Sequence, residues 1–168
     1  MCEASPSPLR AGRPAEGGQV SRGYFEIGIY AAKTETNLGT LWRSAYQLGA
    51  AGIFTIGRRY KPQASDTYKA IRHIPFREFA TFDEFYAALP NACELIGVEM
   101  GGKPLGEFTH PERGCYLLGA EDNGLPAAVM KRCHRLVSLQ AIVTPSYNVA
   151  VAGSLVMYDR VFGQRRAA

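Results

Sequence analysis

Residues 25–56 read FEIGIYAAKTETNLGTLWRSAYQLGAAGIFTI, and this stretch decides the fold. Two short apolar runs, Phe25 to Tyr30 and Gly52 to Ile56, have the length and composition of buried strands. Between them, Leu38 to Leu48 repeats apolar residues at helical spacing, which predicts a helix with one buried face. A strand, a helix and a strand in this order predict two parallel strands joined by a crossover helix.

The same alternation continues along the chain. Further strands are predicted at Leu95 to Glu99, Cys115 to Gly119 and Leu136 to Leu139, with a weaker one at Glu78 to Ala80, and further helices at Phe82 to Leu89, Ala127 to Arg132 and Val149 to Phe162. We therefore predict an α/β domain with a mostly parallel sheet and helices on both faces, whose ligands bind at the carboxyl ends of the strands. Residues 1–22, rich in Gly, Pro, Ser and Ala, are predicted to be a flexible arm, and residues 23–168 a single domain.

Composition excludes several classes of protein. The chain has 168 residues, 46% of them hydrophobic, which excludes a disordered chain and favours one globular domain. It shows no signal-peptide pattern and no uninterrupted apolar run of membrane length, so we expect a cytoplasmic protein without a membrane anchor. Four cysteines without a C-x-x-C pair, and three histidines without zinc-like spacing, predict reduced thiols and no metal site.

The net charge of +4 is concentrated in one segment. Between Gly57 and Arg77, only Asp66 opposes a cluster of basic residues. The cluster comprises Arg58, Arg59, Lys61, Lys69, Arg72 and Arg77. Such a cluster either contacts nucleic acid or is a solvated basic loop, and charge alone favours the second interpretation.

Three junctions between a loop and a helix carry polar residues that folding alone does not require. In the first, Arg43 lies off the apolar stripe of its helix and leans toward Gly39, where it could bind a phosphate beside the helix N-terminus. Alternatively, Asn37 caps the helix and Arg43 is an ordinary surface residue. In the second, Glu121 lies in a loop bounded by Gly119 and Gly124, which leads into a helix.

The third junction leads into the last predicted helix. Ser146 or Asn148 is expected to cap this helix. The helix is apolar nearly all round, so we expect it to be buried on more than one side, with a second subunit covering part of it.

One apparent nucleotide-binding motif is rejected. Residues 97–103 match G-x-x-x-x-G-K, but Pro104 follows where a Ser or Thr must hold Mg²⁺. No G-x-S-x-G elbow is present, which removes the commonest α/β hydrolase interpretation.

Taken in order, the three junctions resemble the motifs of the SpoU/TrmH family of RNA ribose methyltransferases, members of the SPOUT superfamily. Residues 37–45, NLGTLWRSA, resemble N-x-G-x-x-x-R-S/T-A. Residues 119–126, GAEDNGLP, resemble G-x-E-x-x-G-L/I-P/S, and residues 146–152, SYNVAVA, resemble S-L-N-V-S/A-V-A. The resemblance implies a C-terminal trefoil knot, a homodimer, an S-adenosylmethionine cofactor bound in the knot, and methyl transfer to a ribose 2′-hydroxyl of RNA.

The resemblance also implies which residues form the site. The catalytic set is Asn37, Arg43, Glu121, Ser146 and Asn148. Cofactor contacts fall on Glu99, Met100, Gly101, Leu118, Gly119, Ala120, Val137, Ser138, Leu139, Tyr147 and Asn148. RNA contacts fall on Arg43, Arg58, Arg59, Lys61, Lys69 and Arg72.

A guanidinium loses its proton only above pH ~12, so we do not expect Arg43 to act as the base. We expect it to clamp an RNA phosphate and to stabilise the negative charge on the attacking 2′-oxygen. That phosphate or Glu121 would take the proton of the 2′-hydroxyl. Asn37, Ser146 and Asn148 would orient Arg43, the ribose and the loop. Short relatives favour tRNA as the substrate. Methylation of rRNA, or a noncatalytic dimer that binds RNA or senses the cofactor, remains as an alternative.

Two residues depart from the family pattern. Tyr147 replaces the usual leucine of the third motif, and Gln140 stands where relatives often have proline. We expect these changes to alter the shape of the cofactor pocket without abolishing binding.

Overall fold

The computed structural model describes residues 23–57 and 73–163. Its strands are β1 (Tyr24–Tyr30), β2 (Gly52–Ile56), β3 (Phe76–Phe79), β4 (Glu94–Pro104), β5 (Arg113–Leu118) and β6 (Arg135–Ser138). Its helices are α1 (Glu35–Leu48), α2 (Phe82–Ala87), α3 (Ala127–Met130) and α4 (Val149–Phe162), with a short 3-10 helix at Leu105–Glu107.

The six strands form one sheet in the order β3-β2-β1-β5-β4-β6, and all neighbours are parallel. Two apolar clusters cover the sheet. One packs α1 and α4 against residues such as Ile27, and the other packs α2 and α3 against residues such as Leu117. The predicted α/β architecture, with helices on both faces of the sheet, is confirmed.

The first helix begins earlier than its apolar pattern predicts. It starts at Glu35 after the N-cap Thr34, so Asn37 lies inside the first turn. The alternative that Asn37 caps this helix is therefore wrong. Asn148 does cap α4, as predicted, because its side chain accepts hydrogen bonds from the backbone N–H groups of Ala150 and Val151.

Strand β4 runs five residues past its predicted end at Glu99. Its later part pairs with β6 a second time, so that Val137 is the partner of both Val98 and Lys103. A Cβ at Gly102 would lie 2.6 Å from the backbone nitrogen of Val137, so only glycine fits this close approach. Ser138 Oγ also donates to the Gly102 carbonyl at 2.8 Å. The 98–104 segment therefore contacts the end of β6 from two positions along the chain.

The predicted arm, residues 1–22, and most of the predicted basic cluster lie outside the described residues. Arg77 is described, and it forms an ion pair with the buried Glu26. Within residues 23–57 and 73–163, no helix is both long and apolar enough to cross a membrane.

Candidate active site

A cavity of about 270 Å³ opens at the carboxyl ends of β5 and β6, beside the middle of β4. Its walls are formed by residues 98–100, 118–124, 139, 145–147, 149 and 152. Three of these residues are acidic, and none is lysine or arginine. Parallel sheets bind ligands at this edge, so the cavity lies where the sequence predicts chemistry.

A chain of hydrogen bonds joins one residue from each of the three motif loops. Asn37 Nδ2 donates to Glu121 Oε1 at 2.8 Å, and Asn148 Nδ2 donates to Asn37 Oδ1 at 3.0 Å. Asn148 Oδ1 in turn accepts from the backbone N–H groups at the start of α4. The first turn of α1 is thereby fixed to the second loop and to the N-terminus of α4.

Glu121 is the centre of this network. Besides Asn37, its carboxylate accepts hydrogen bonds from the hydroxyl of Thr34 at 3.1 Å and from the backbone N–H of Lys33 at 3.1 Å. Partial burial acts to raise the pKa of Glu121, but these hydrogen bonds outweigh it and hold the pKa below its ordinary value. The group is therefore a carboxylate at neutral pH, with its oxygens already occupied by donors.

Lys33 and Thr34 belong to this site although the sequence analysis did not select them. They lie three and four residues after the end of β1. Lys33 also forms an ion pair with Asp122, and the hydrogen bond in that pair lowers the pKa of Asp122. Their position shortly after the predicted strand Phe25 to Tyr30 was the available signal, because the residues that follow parallel strands gather at one edge of the sheet.

Glu99 fixes the opposite wall of the cavity. Its carboxylate accepts from the backbone N–H of Leu125 at 2.7 Å and from that of Met100 at 2.9 Å. Gly124 has a φ of +60°, and a Cβ there would lie 2.3 Å from Glu99 Oε2. Glycine suits this position because it adopts the positive φ without strain and leaves room for the Glu99 carboxylate.

The two residues that depart from the motif pattern contact each other. Tyr147 Oη donates to the backbone carbonyl of Gln140 at 2.9 Å and so closes the loop between β6 and α4. Ser146 and Tyr147 line the cavity, whereas Ile142 and Val143 at the tip of the loop are exposed.

The family model that matches this sequence is the SpoU rRNA Methylase family, over residues 25–158. The chain belongs to this family. The resemblance drawn from the three motifs is thereby confirmed. In a search of curated proteins, no sequence matched.

Solved structures of SpoU-type proteins share the fold. An AdoMet-bound rRNA methyltransferase from Sinorhizobium meliloti is 22% identical, with a TM-score of 0.71, over 84% of this chain and 59% of that chain. The SpoU methyltransferase AviRb from Streptomyces viridochromogenes, in complex with AdoMet, is 23% identical, with a TM-score of 0.70, over 83% of this chain and 57% of that chain. The chain thus spans less than two thirds of the length of these two proteins.

A third solved structure, described as giving insights into 2-OH methylation of C/U34 on tRNA, matches in length. It is 25% identical, with a TM-score of 0.71, over 84% of this chain and 97% of that chain.

The residues that the SpoU motifs imply fall into two groups. Most predicted cofactor contacts line the cavity, together with two predicted catalytic residues. These lining residues are Glu99, Met100, Leu118, Gly119, Ala120, Leu139 and Tyr147, with Glu121 and Ser146. The predicted residues that do not line it are Gly101, Val137, Ser138, Asn37, Arg43 and Asn148. Asn37 and Asn148 nevertheless join the site through their hydrogen bonds to Glu121 and to each other.

Arg43 lies on the exposed side of α1, six residues after Asn37. Of the other predicted RNA contacts, Arg58, Arg59, Lys61, Lys69 and Arg72 lie outside the described residues. Within the described ranges, no group of three or more His, Cys, Asp or Glu side chains is placed to hold a metal ion.

Proposed function

We propose that this protein transfers the methyl group of S-adenosylmethionine to the ribose 2′-hydroxyl of a tRNA nucleotide. The observation that carries the proposal is the hydrogen-bond chain through Glu121, Asn37 and Asn148 at the mouth of the cavity. Residues separated by 84 and 111 positions in sequence meet there, and each comes from a different SpoU motif.

The cavity has the chemistry that S-adenosylmethionine requires. Leu118, Leu139 and Val149 offer apolar surface for a flat base. Glu99, Glu121 and Asp122 give the walls an acidic character, which suits a ligand with a positive sulfonium and ammonium group and disfavours a nucleoside phosphate. When bound, the cofactor supplies an electrophilic methyl group and departs as a neutral thioether.

Arg43 is the candidate catalytic residue on the RNA side. Arg43 is an exposed residue of α1, the helix whose first turn is fixed to the cavity by Asn37. A planar cation with several donors can bind the phosphate next to the reacting ribose and stabilise negative charge as the 2′-oxygen loses its proton. Since a guanidinium stays protonated below pH ~12, Arg43 serves as a clamp and not as the base.

The proton has two candidate acceptors, Glu121 and the clamped RNA phosphate. The lowered pKa of Glu121 and its full set of hydrogen bonds make this carboxylate a weak base. The hydrogen bonds of Glu121 assign it a positioning role, but a phosphodiester is a still weaker base than this carboxylate, so both groups stay candidate acceptors of the proton. Asn37 and Asn148 are positioning residues too, and the exposed Ser146 in the cavity wall is available to contact the ribose.

The solved structure at 25% identity, which is described for 2-OH methylation of C/U34 on tRNA, supports tRNA as the substrate. An rRNA substrate remains the second candidate because the family model itself is described as an rRNA methylase.

We further propose that residues 23–168 act as one knotted domain in a homodimer, with residues 1–22 as an arm. The double pairing of Val137 with β4, at Val98 and again at Lys103, is the observation that supports the knot. The dimer is supported by one apolar stripe on α4, whose four large side chains are 40% to 60% exposed. They are Val151, Leu155, Tyr158 and Phe162.

The proposal is tested by incubating the protein with tritiated S-adenosylmethionine and separate tRNA and rRNA fractions. We expect label in the tRNA fraction. Label in rRNA alone would favour the second candidate, and calorimetric binding of the cofactor without label in any RNA would favour a noncatalytic dimer.

A further inference from the structure

An exposed aromatic pair lies beside α1, away from the cavity. Tyr46 on α1 stacks on His73, with ring centroids 4.7 Å apart and an interplanar angle of 26°. Tyr46 remains 42% exposed in this arrangement, and His73 is exposed as well. The pair therefore presents an aromatic surface to solvent.

This pair differs from the aromatic contact one turn earlier in the same helix. Trp42 packs on Phe76 at 4.7 Å between ring centroids, but Trp42 is only 2% exposed and belongs to the core. Tyr46 buries a much smaller fraction of its surface. Packing in the core therefore explains why an aromatic residue stands at position 42 better than it explains the one at position 46. A tyrosine in this position is available for contact with a partner.

The position of the pair relative to Arg43 suggests which partner. Tyr46 follows Arg43 by three residues, so the two side chains are neighbours on the helix surface. At 1.5 Å and about 100° per residue, Arg43 lies ~9 Å along the helix axis and about a third of a turn around it from Asn37, which is bonded to the cavity loop. Tyr46 lies ~14 Å along the axis and about half a turn around it. A path across the exposed side of α1 thus leads from the flank that contacts the candidate site, past a cation, to an aromatic surface on the opposite flank.

We propose that Tyr46 and His73 form a stacking platform for a base that flanks the methylated nucleotide of the RNA. Single-stranded RNA is recognised by stacking its unpaired bases on Tyr, Phe, Trp or His side chains, while cations bind the backbone between them. Arg43 and the pair provide these two elements side by side. This inference rests on the proposed function, because it requires RNA to lie across α1.

The test compares binding of unfractionated tRNA to the full chain and its variants by filter binding at several salt concentrations. Tyr46→Ala removes the platform, Tyr46→Phe keeps the ring, and Gln47→Ala is the matched control for an exposed neighbour on the same helix. We expect Tyr46→Ala and His73→Ala to weaken binding, the former by roughly 5- to 100-fold. Tyr46→Phe and Gln47→Ala should stay within about twofold of the wild type.

The salt dependence separates stacking from charge. Tyr46→Ala removes no charge, so the slope of log affinity against log salt should stay unchanged, whereas loss of a phosphate contact lowers that slope by roughly one. Cofactor affinity and unfolding midpoint should also match those of the wild type, which a purely structural role for Tyr46 would not allow. Unchanged tRNA affinity in Tyr46→Ala, or no tRNA binding by the wild type, would overturn the platform. Weakened binding in Tyr46→Ala without methyl transfer by the wild type would support the platform and refute the proposed activity.

Discussion

Substitution of Asn37 tests whether Glu121 is the ionised centre of the site. In Asn37→Asp, a carboxylate oxygen replaces the amide that donates to Glu121 at 2.8 Å. The change removes a hydrogen bond to a charged group, worth about 1.5 to 3 kcal/mol, and adds repulsion between like charges. Because the site is partly open to solvent, we expect a total loss of about 3 kcal/mol of unfolding free energy near neutral pH.

Asn37→Ala is the matched control. It removes the same hydrogen bond and the one from Asn148, but it introduces no charge, and alanine regains about 0.5 kcal/mol of helix propensity. Glu121 retains its donors from Lys33 and Thr34 in this variant. Taking about 1.5 kcal/mol for the bond to Glu121 and about 1 kcal/mol for the bond from Asn148, less the gain in helix propensity, we expect Asn37→Ala to lose about 2 kcal/mol.

The two variants should respond differently to pH. In the wild type the pKa of Glu121 is lowered, so its contribution to stability is complete above the unfolded-state pKa of about 4.3 and is lost as the pH falls through the folded-state value. In Asn37→Asp the paired carboxyl groups raise one pKa, so protonation below that raised value relieves the repulsion. The loss of unfolding free energy in Asn37→Asp, relative to the wild type, should thus become smaller between about pH 7 and about pH 5. The loss in Asn37→Ala should stay the same over this range.

Urea unfolding at fixed protein concentration measures these differences, since the apparent stability of the proposed dimer would depend on concentration. Equal stability of the two variants at neutral pH, with no recovery of Asn37→Asp in acid, would show that Glu121 is not an ionised neighbour of residue 37.

Substitutions at three further positions probe the proposed roles. Arg43→Ala should leave the fold and cofactor binding nearly unchanged but lower the rate of methyl transfer to tRNA at least ~100-fold. Arg43→Lys should restore little of this activity. Full activity of either variant would refute the role of Arg43 as a phosphate clamp. Tyr147→Phe keeps the ring but loses the hydrogen bond to the Gln140 carbonyl. Calorimetry should therefore show cofactor affinity lowered by roughly 2- to 10-fold. An unchanged affinity would mean that this hydrogen bond does not shape the pocket. Leu155→Glu places a charge in the apolar stripe of α4, and light scattering should then give the mass of a single chain; an intact dimer would place the interface elsewhere.

Local patterns were enough for most elements of the fold. Strand β2 and helix α4 have the predicted bounds, because a short apolar run between glycines and a long apolar helix after an asparagine are both strong signals. The end of β4 could not be predicted in this way. Its later residues include Gly101 and Gly102 and form a strand only because β6 pairs with them, which is a tertiary effect.

The candidate site is also predicted only in part by the sequence. The three motifs predict that Asn37, Glu121 and Asn148 belong to one site, but their direct hydrogen bonds depend on how distant segments meet at one edge of the sheet. The start of α1 was misplaced because Glu35 and Thr36 are polar and carry no apolar periodicity. The contacts of Lys33, Thr34 and Glu99 depend on side-chain directions that sequence patterns do not specify.

The most direct test of the account is the chemical position of the transferred methyl group. After labelling of tRNA with tritiated S-adenosylmethionine, alkaline hydrolysis cleaves every linkage that has a free 2′-hydroxyl and spares a linkage next to a methylated one. We expect wild-type protein to place the label in alkali-resistant dinucleotides and Arg43→Ala to lose this label. Label released in ordinary mononucleotides would show methylation of a base and would contradict the account.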